Sequence, residues 1–353
     1  MIEIQQWEMR SPREPFCRAT RRLEALDPRE ALVRVAGCGL CHTDLGFHDG
    51  DVKTHHRLPL TLGHEISGVV EQAGDGAEGW IGKAVVVPAV VPCGECPSCR
   101  RGRYALCPSQ IFFGNDVHGG FASHVVAPVR ALFEVPEDLR PRLATLAVVA
   151  DAVSTPFEAI HRSGLSAGDV AIFVGAGGVG GFGVQIAAAL GAHVIAIDIS
   201  PDRRRLMLEH GARLALDPSG GDLSALRRQV RDHVQEAGLP SQEWKIFETS
   251  GSPKGQELAF ALMTRGSHLG VVGYAKDSVT LHLSRLMALD ARAEGNWACA
   301  PQRFPDVLNL IREDKIALGP FVELHPLSRI NQLFADLTGH GLLRRAVLTP
   351  DFT

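Results

Sequence analysis

Short apolar runs broken by Gly and Pro fill the first third of the chain. Residues 31–35, 68–70 and 84–87 read as strands, in an all-β style interrupted by a cysteine-rich loop at 93–107. From about residue 150 the rhythm changes. An apolar run at 170–174 meets a cluster of glycines, 180–190 places Ile186, Ala187 and Leu190 on one helical face, and 194–197 is strand-like again. The pattern then predicts helices over 202–210 and 222–237, a strand over 245–249, a helix near 255–264 and a strand over 269–273. Such alternation builds a parallel, doubly wound sheet. The last sixty residues mix both rhythms and can extend that sheet or return to the first region. No internal repeat or low-complexity tract interrupts the chain.

A length of 353 residues exceeds what one core usually supports, so two domains are expected. With 45% hydrophobic and 22% charged residues the composition is that of an ordinary globular protein, and a net charge of −4 gives no reason to expect nucleic acid or a membrane surface as partner. The basic group Arg100, Arg101 and Arg103 is short and reads as a solvated face. The opening Met1-Ile2-Glu3-Ile4-Gln5 lacks the basic and apolar regions of a secretory signal, so a cytoplasmic location is expected. Residues 170–197 contain no Asp, Glu, Lys or Arg, yet they hold seven glycines, Gln185 and His193. A strand, a glycine turn, a helix and a second strand explain them better than a membrane span.

The cysteines concentrate the candidate chemistry. Cys93, Cys96, Cys99 and Cys107 follow the spacing Cys-x2-Cys-x2-Cys-x7-Cys. Four thiolates in so short a loop can close around a zinc ion or hold an iron–sulfur cluster. A closed four-sulfur site leaves no position for substrate, so its work is structural. A second group comprises Gly39-Leu40-Cys41-His42-Thr43-Asp44 and, beginning twenty-two residues after Cys41, Gly63-His64-Glu65-Ile66-Ser67-Gly68. Together they bring a thiolate, an imidazole and a carboxylate to one β-rich region.

Gly63-His64-Glu65-x2-Gly68-x5-Gly74-x2-Ala77 resembles the zinc signature of the medium-chain alcohol dehydrogenase family, and the loop with Cys93, Cys96, Cys99 and Cys107 resembles that family's structural zinc lobe. The resemblance covers nearly the whole chain. It implies an α/β protein with a GroES-like β-rich catalytic domain, formed by 1–152 and 295–353, and a Rossmann doubly wound parallel-sheet domain over 153–294. It further implies two zinc ions per chain, one catalytic and one structural. The family supplies the third catalytic ligand just before the cofactor domain, as Cys in many members and Asp in others. Here that stretch reads Ala-Asp-Ala-Val-Ser-Thr-Pro-Phe over 150–157, so Asp151 takes the place beside Cys41 and His64. A carboxylate is a harder ligand than a thiolate and should leave the zinc a somewhat stronger Lewis acid. Glu65 is the expected displaceable fourth ligand. Asp44 resembles the carboxylate that orients a ligand imidazole. Thr43 resembles the hydroxyl that takes the alcohol proton. Where many members relay that proton through a His, this chain has Gly46, which leaves His48 as the candidate substitute.

The strand-like 170–174 runs into Gly175-Ala176-Gly177-Gly178-Val179-Gly180 and then a helix, the context that makes a Gly-x-Gly-x-x-Gly motif a dinucleotide site. Asp198, eighteen residues after Gly180, is placed to accept hydrogen bonds from the adenosine ribose and to repel a 2′-phosphate, which favours NAD. By resemblance, Arg203 lies beside the adenosine, Thr155 near the nicotinamide, His42 and Arg345 near the pyrophosphate, and Gly273 and Tyr274 along the nicotinamide.

For the substrate, 88–93 (Pro-Ala-Val-Val-Pro-Cys), 111–116 (Ile-Phe-Phe-Gly-Asn-Asp) and 294–297 (Glu-Gly-Asn-Trp) resemble the branch of the family that oxidises a cyclic hydroxyacyl-CoA thioester. That resemblance implies a small-molecule substrate carried on CoA, a homo-oligomer of two or four subunits, and an enone product open to hydration. Another cyclic or benzylic alcohol is the alternative. A zinc-free double-bond reductase and a non-catalytic protein on the same fold are the other classes; Cys41, His64 and Asp151 argue against the first, and the intact zinc and NAD motifs against the second.

Overall fold

The computed structural model describes residues 1–339 and 342–352, which form two compact units. One contains Met1–Ser154, Ala298–Arg312 and the segment from Leu318 onward; the other contains Thr155–Trp297 and Glu313–Ala317.

The first unit is built on a seven-stranded sheet. Its long central strand Glu30–Gly39 pairs antiparallel with Glu65–Ala73 and with His124–Pro128. From near the C-terminus, Arg345–Thr349 joins the same strand, with Val347 opposite Gly39 and Leu348 opposite Cys38. The strand Ala84–Val87 and the first half of Glu65–Ala73 are buried, and Val33, Val35, Leu60, Leu62, Ile66, Val85 and Leu348 form part of one apolar core. This packing seats Cys41 at the end of one central strand and His64 at the start of its neighbour.

The second unit carries a six-stranded parallel sheet in the spatial order Ala212–Leu216, His193–Ile197, Val170–Val174, Lys245–Glu248, His268–Val271, Arg292–Gly295. Every residue of Val170–Val174 is buried, as a central parallel strand covered on both faces requires. The helices begin on caps legible in sequence. Ser200, Asp222 and Ser252 each accept the backbone N–H three residues on, and Pro201 and Pro253 stand at the first helical position. Gln185 is the buried polar residue in the apolar helix Gly180–Ala189; its amide exchanges hydrogen bonds with both the N–H (2.7 Å) and the carbonyl (3.3 Å) of Ala317. Among the described residues no helix is long and apolar enough to cross a membrane. The strand Arg292–Gly295 and the helices Ser154–Ser163 and Ser284–Leu289 go beyond the elements expected from the pattern.

Candidate metal and nucleotide sites

Cys41 is the cap residue of the short helix His42–His48, and Asp44 sits fully buried one turn in. The Asp44 carboxylate organises the site. Oδ2 accepts the Cys41 N–H at 3.1 Å, while Oδ1 accepts the Gly63 N–H and the His64 Nδ1–H, each at 3.1 Å. With Nδ1 donating to Asp44, the lone pair of His64 lies on Nε2. That nitrogen is buried without a hydrogen-bond partner, 3.5 Å from Asp151 Oδ2. Cys41 Sγ stands 3.9 Å from the same oxygen. One ligand atom from each of Cys41, His64, Glu65 and Asp151 falls within 4.8 Å of the others. An orphaned imidazole lone pair facing a thiol and a carboxylate is a costly arrangement for a protein alone, and a natural one around a cation. The nitrogen, sulfur and oxygen donors fit zinc. Without a metal, burial opposes protonation of His64, but Asp44, with Asp151 and Cys41, raises the imidazole well above its ordinary range, so the pocket draws positive charge to Nε2, which a bound cation would supply in place of a proton.

Glu65 is fully buried and its two oxygens are gripped by Arg345, with Nε on Oε2 at 2.8 Å and Nη2 on Oε1. Arg345 was expected beside the pyrophosphate; the structure places its guanidinium on Glu65, 280 positions away in the chain, inside the first unit. Burial pushes the Glu65 carboxyl upward, against the pull of Arg345. Glu65 can therefore offer an oxygen to a metal only by loosening this pair. The pairing also explains Gly39, which the motif reading passed over: a Cβ there would sit 1.9 Å from Glu65 Oε2.

His48, the candidate relay, is tied into the packing at the helix end. Its ring stacks on Phe16 (5.1 Å) and packs on Phe334 (5.2 Å), Nε2 meets the Glu14 carbonyl at 3.0 Å and Nδ1 faces Asp49 at 3.4 Å. Thr43 is half-buried with Oγ1 3.7 Å from Cys41 Sγ, and His42 is exposed at the first helical position. Phe112 was quoted only for its resemblance, yet its ring lies edge-on to His64 at 5.4 Å and makes an apolar wall beside the metal donors.

Cys93, Cys96, Cys99 and Cys107 gather their sulfurs within 4.8 Å of one another and form no disulfide. The Cys96–Cys99 and Cys93–Cys99 sulfur separations are 3.5 and 4.0 Å. They bracket the edge of a tetrahedron with zinc–sulfur bonds of about 2.3 Å, which is about 3.8 Å. A multinuclear iron–sulfur cluster needs its cysteines further apart, so the geometry is that of a single ion. Backbone N–H groups of Cys93, Cys96 and Cys99 point at sulfurs of Cys107, Cys93 and Cys96. N–H donors from Glu95 and Cys96 lower the Cys93 thiol to about 6, whereas burial raises Cys99 to about 12.

In the second unit the glycine turn joins Val170–Val174 to the helix Gly180–Ala189. Gly175 has φ +95°, and a Cβ on it would meet Ser250 N at 2.5 Å; one on Gly180 would lie 1.9 Å from the Gly175 carbonyl oxygen. Around Gly177 only the Arg203 guanidinium approaches, at 3.6 Å, leaving backbone free to approach a phosphate. Gly178 lies in the turn and Val179 caps the helix. Asp198 is 6% exposed; it accepts the Ala176 N–H at 2.7 Å and the Ser200 N–H at 2.8 Å, so this carboxylate also fastens the turn. Arg204, absent from the sequence expectations, donates to the Asp198 carbonyl at 2.7 Å and pairs with Asp217 at 3.1 Å. Thr155 is buried, its carbonyl accepting from Asn296 at 3.2 Å. Gly273 closes against Gly251, and Tyr274 is 65% exposed.

Comparison with known proteins agrees with this arrangement. Residues 27–137 match the alcohol dehydrogenase GroES-like domain and residues 178–313 match the zinc-binding dehydrogenase domain. An alcohol dehydrogenase of Geobacillus stearothermophilus is 29% identical over 92% of both chains, and the galactitol 1-phosphate 5-dehydrogenase of Escherichia coli is 30% identical over 91% of this chain and 92% of that one. The crystal structure of the alcohol dehydrogenase from Aeropyrum pernix superposes with a TM-score of 0.87 at 28% identity, covering 98% of this chain and all of the other. These are oxidoreductases acting on CH–OH groups. The chain belongs to the zinc-binding medium-chain alcohol dehydrogenase family, and its two donor clusters fit that family's zinc.

Proposed function

We propose that this enzyme oxidises a secondary alcohol on a carbon ring, specifically 6-hydroxycyclohex-1-ene-1-carbonyl-CoA to its 6-oxo product, with NAD, in anaerobic benzoyl-CoA breakdown. The observation that carries the dehydrogenase part is the buried His64 Nε2, left without a partner and facing Cys41 and Asp151. The ring substrate is supported by the resemblance over 88–93, 111–116 and 294–297, and by the Phe112 wall beside His64. A polyol would leave hydroxyls unpaired against such a wall, at a cost of about 1–3 kcal/mol each. A benzylic alcohol is the remaining alternative.

Cys41, His64 and Asp151 would hold a zinc ion, whose chemistry when bound would be Lewis acidity towards a substrate hydroxyl. Asp44 keeps His64 in the tautomer that presents Nε2, so the donor set is fixed before substrate arrives. Thr43 Oγ1 would accept a hydrogen bond from the substrate hydroxyl and pass its own proton on towards water, and NAD, when bound, would supply the acceptor for the hydride of the carbinol carbon. Glu65 stays gripped by Arg345 during binding and is the buried base available if the pair loosens. The enone so formed is electrophilic at its far carbon, and we infer that water can add there, with Glu65 accepting its proton and returning one to the ring carbon that bears the thioester. Incubating the enone thioester with enzyme in ¹⁸O-labelled water should give a product heavier by one labelled water; no enzyme-dependent gain would remove the hydration step and leave the oxidation untouched.

Asp198 sets the coenzyme. Its buried carboxylate, held by two backbone donors, stands where a 2′-phosphate would bring like charge. kcat/KM should favour NAD over NADP by at least about tenfold, or roughly 1.4 kcal/mol. Equal values would remove Asp198 from this role.

A further inference from the structure

Glu248 ends the strand Lys245–Glu248 and is fully buried. Its position in the sheet is particular. The strand order reverses between Val170–Val174 and Lys245–Glu248, and Val174 and Glu248 are partners across that boundary. Ligands of doubly wound sheets bind outside the carboxyl ends of the strands at such a switch point.

One residue here fastens two loops. Glu248 Oε1 accepts the Ser250 N–H at 2.8 Å, the Ser250 hydroxyl at 2.5 Å and the Gly251 N–H at 3.1 Å. Its main-chain carbonyl accepts the Val272 and Gly273 N–H groups, both at 2.9 Å. The two loops touch closely: a Cβ on Gly273 would lie 2.4 Å from Gly251 N and 2.8 Å from Glu248 Oε2. The first loop also meets the glycine turn. Thr249 Oγ1 donates to the Gly175 carbonyl at 2.6 Å, and Ser250 blocks any side chain on Gly175. Glu248 Oε2 itself is buried with no hydrogen-bond partner. Burial pushes this carboxyl upward, against the donors on Oε1 that favour its charge.

We propose that Glu248 is a positioning residue for the dinucleotide, tying 249–252 and 272–274 into one seat beside the glycine turn. The inference rests on the dinucleotide reading of the glycine turn. Its role is to hold backbone where the nicotinamide half of the coenzyme lands, with no contact to the reacting atoms.

The test compares Glu248→Ala and Glu248→Gln with the wild-type enzyme, following NADH and 5′-AMP binding by fluorescence titration and competition, with a melting curve for each protein. Glu248→Ala frees three donors and should weaken NADH by about tenfold, while 5′-AMP, bound on the Asp198 side, stays within about twofold. Glu248→Gln keeps an acceptor at Oε1 and the size of the side chain, and should bind NADH within about twofold of wild type. NADH binding unchanged in Glu248→Ala, or 5′-AMP weakened as much as NADH, would overturn the proposal. Should Glu248→Ala fail to fold, Ser250→Ala, which removes one bond to Oε1, should show the same selective loss for NADH, and equal loss of both ligands would overturn it. Failure of the wild-type enzyme to bind NADH would instead remove the dinucleotide reading beneath it.

Discussion

Asp151→Ala should lower kcat/KM for alcohol oxidation by at least about a thousandfold, equivalent to roughly 4 kcal/mol of lost transition-state stabilisation. Asp151 Oδ2 stands 3.5 Å from His64 Nε2 and 3.9 Å from Cys41 Sγ, so it is the group that closes the donor set. Without it the metal is left with a thiolate and an imidazole, while Glu65 is committed to Arg345. The fold should survive. The Asp151 side chain is 19% exposed and caps the short 3₁₀ segment Thr145–Ala150, whose own residues supply the buried apolar surface. A stability change below about 1 kcal/mol is expected, since no large cavity opens. Metal analysis of the variant should show one zinc where the wild type has two. Near-normal turnover would mean that another residue is the third ligand.

Cys93→Ser should act in the opposite sense, on stability before chemistry. Around the four cysteines most residues of 93–110 are exposed or half-buried, and the buried ones are chiefly Cys99 and Cys107 themselves. A lobe with so little apolar core has only its metal to hold it. Structural zinc sites supply on the order of 10 kcal/mol of binding free energy, so losing a ligand should cost several kcal/mol and about 10 °C in Tm. The folded fraction, assayed at low temperature, should keep most of its turnover per remaining zinc. An unchanged Tm with full metal content would show that the lobe does not depend on Cys93.

Much of this could be read from sequence because particular backbones leave no alternative residue. The Cys-x2-Cys-x2-Cys-x7-Cys spacing and the glycines at 175 and 180 are of this kind: the first closes a ring of sulfurs, the second leaves no room for a Cβ. Asp44 was legible as an orienting carboxylate only through the family resemblance. What sequence hid was long-range or silent in pattern. Arg345 carried a family expectation, yet its partner lies 280 residues away, and only the pairing of Arg345–Thr349 with Glu30–Gly39 brings it to Glu65. His48 was ambiguous because a histidine packs on phenylalanine as readily as it relays a proton. The edge strand Arg292–Gly295 is mostly exposed and reads Arg-Ala-Glu-Gly, with no apolar alternation to find. Glu248 gave no motif at all; its weight comes from two loops that meet only in the fold.

The central claim is that zinc at Cys41, His64 and Asp151 supports hydride transfer from a cyclic alcohol to NAD. The direct measurement is NADH formation at 340 nm by purified enzyme offered NAD and a panel of secondary cyclic alcohols, benzylic alcohols and hydroxyacyl-CoA esters, before and after chelation and again after zinc is restored. The expected result is NADH formation that is fastest with the cyclic hydroxyacyl-CoA, is lost on chelation and returns with zinc. NADH formation that persists in zinc-free enzyme, or none with any alcohol in the zinc-loaded one, would contradict it.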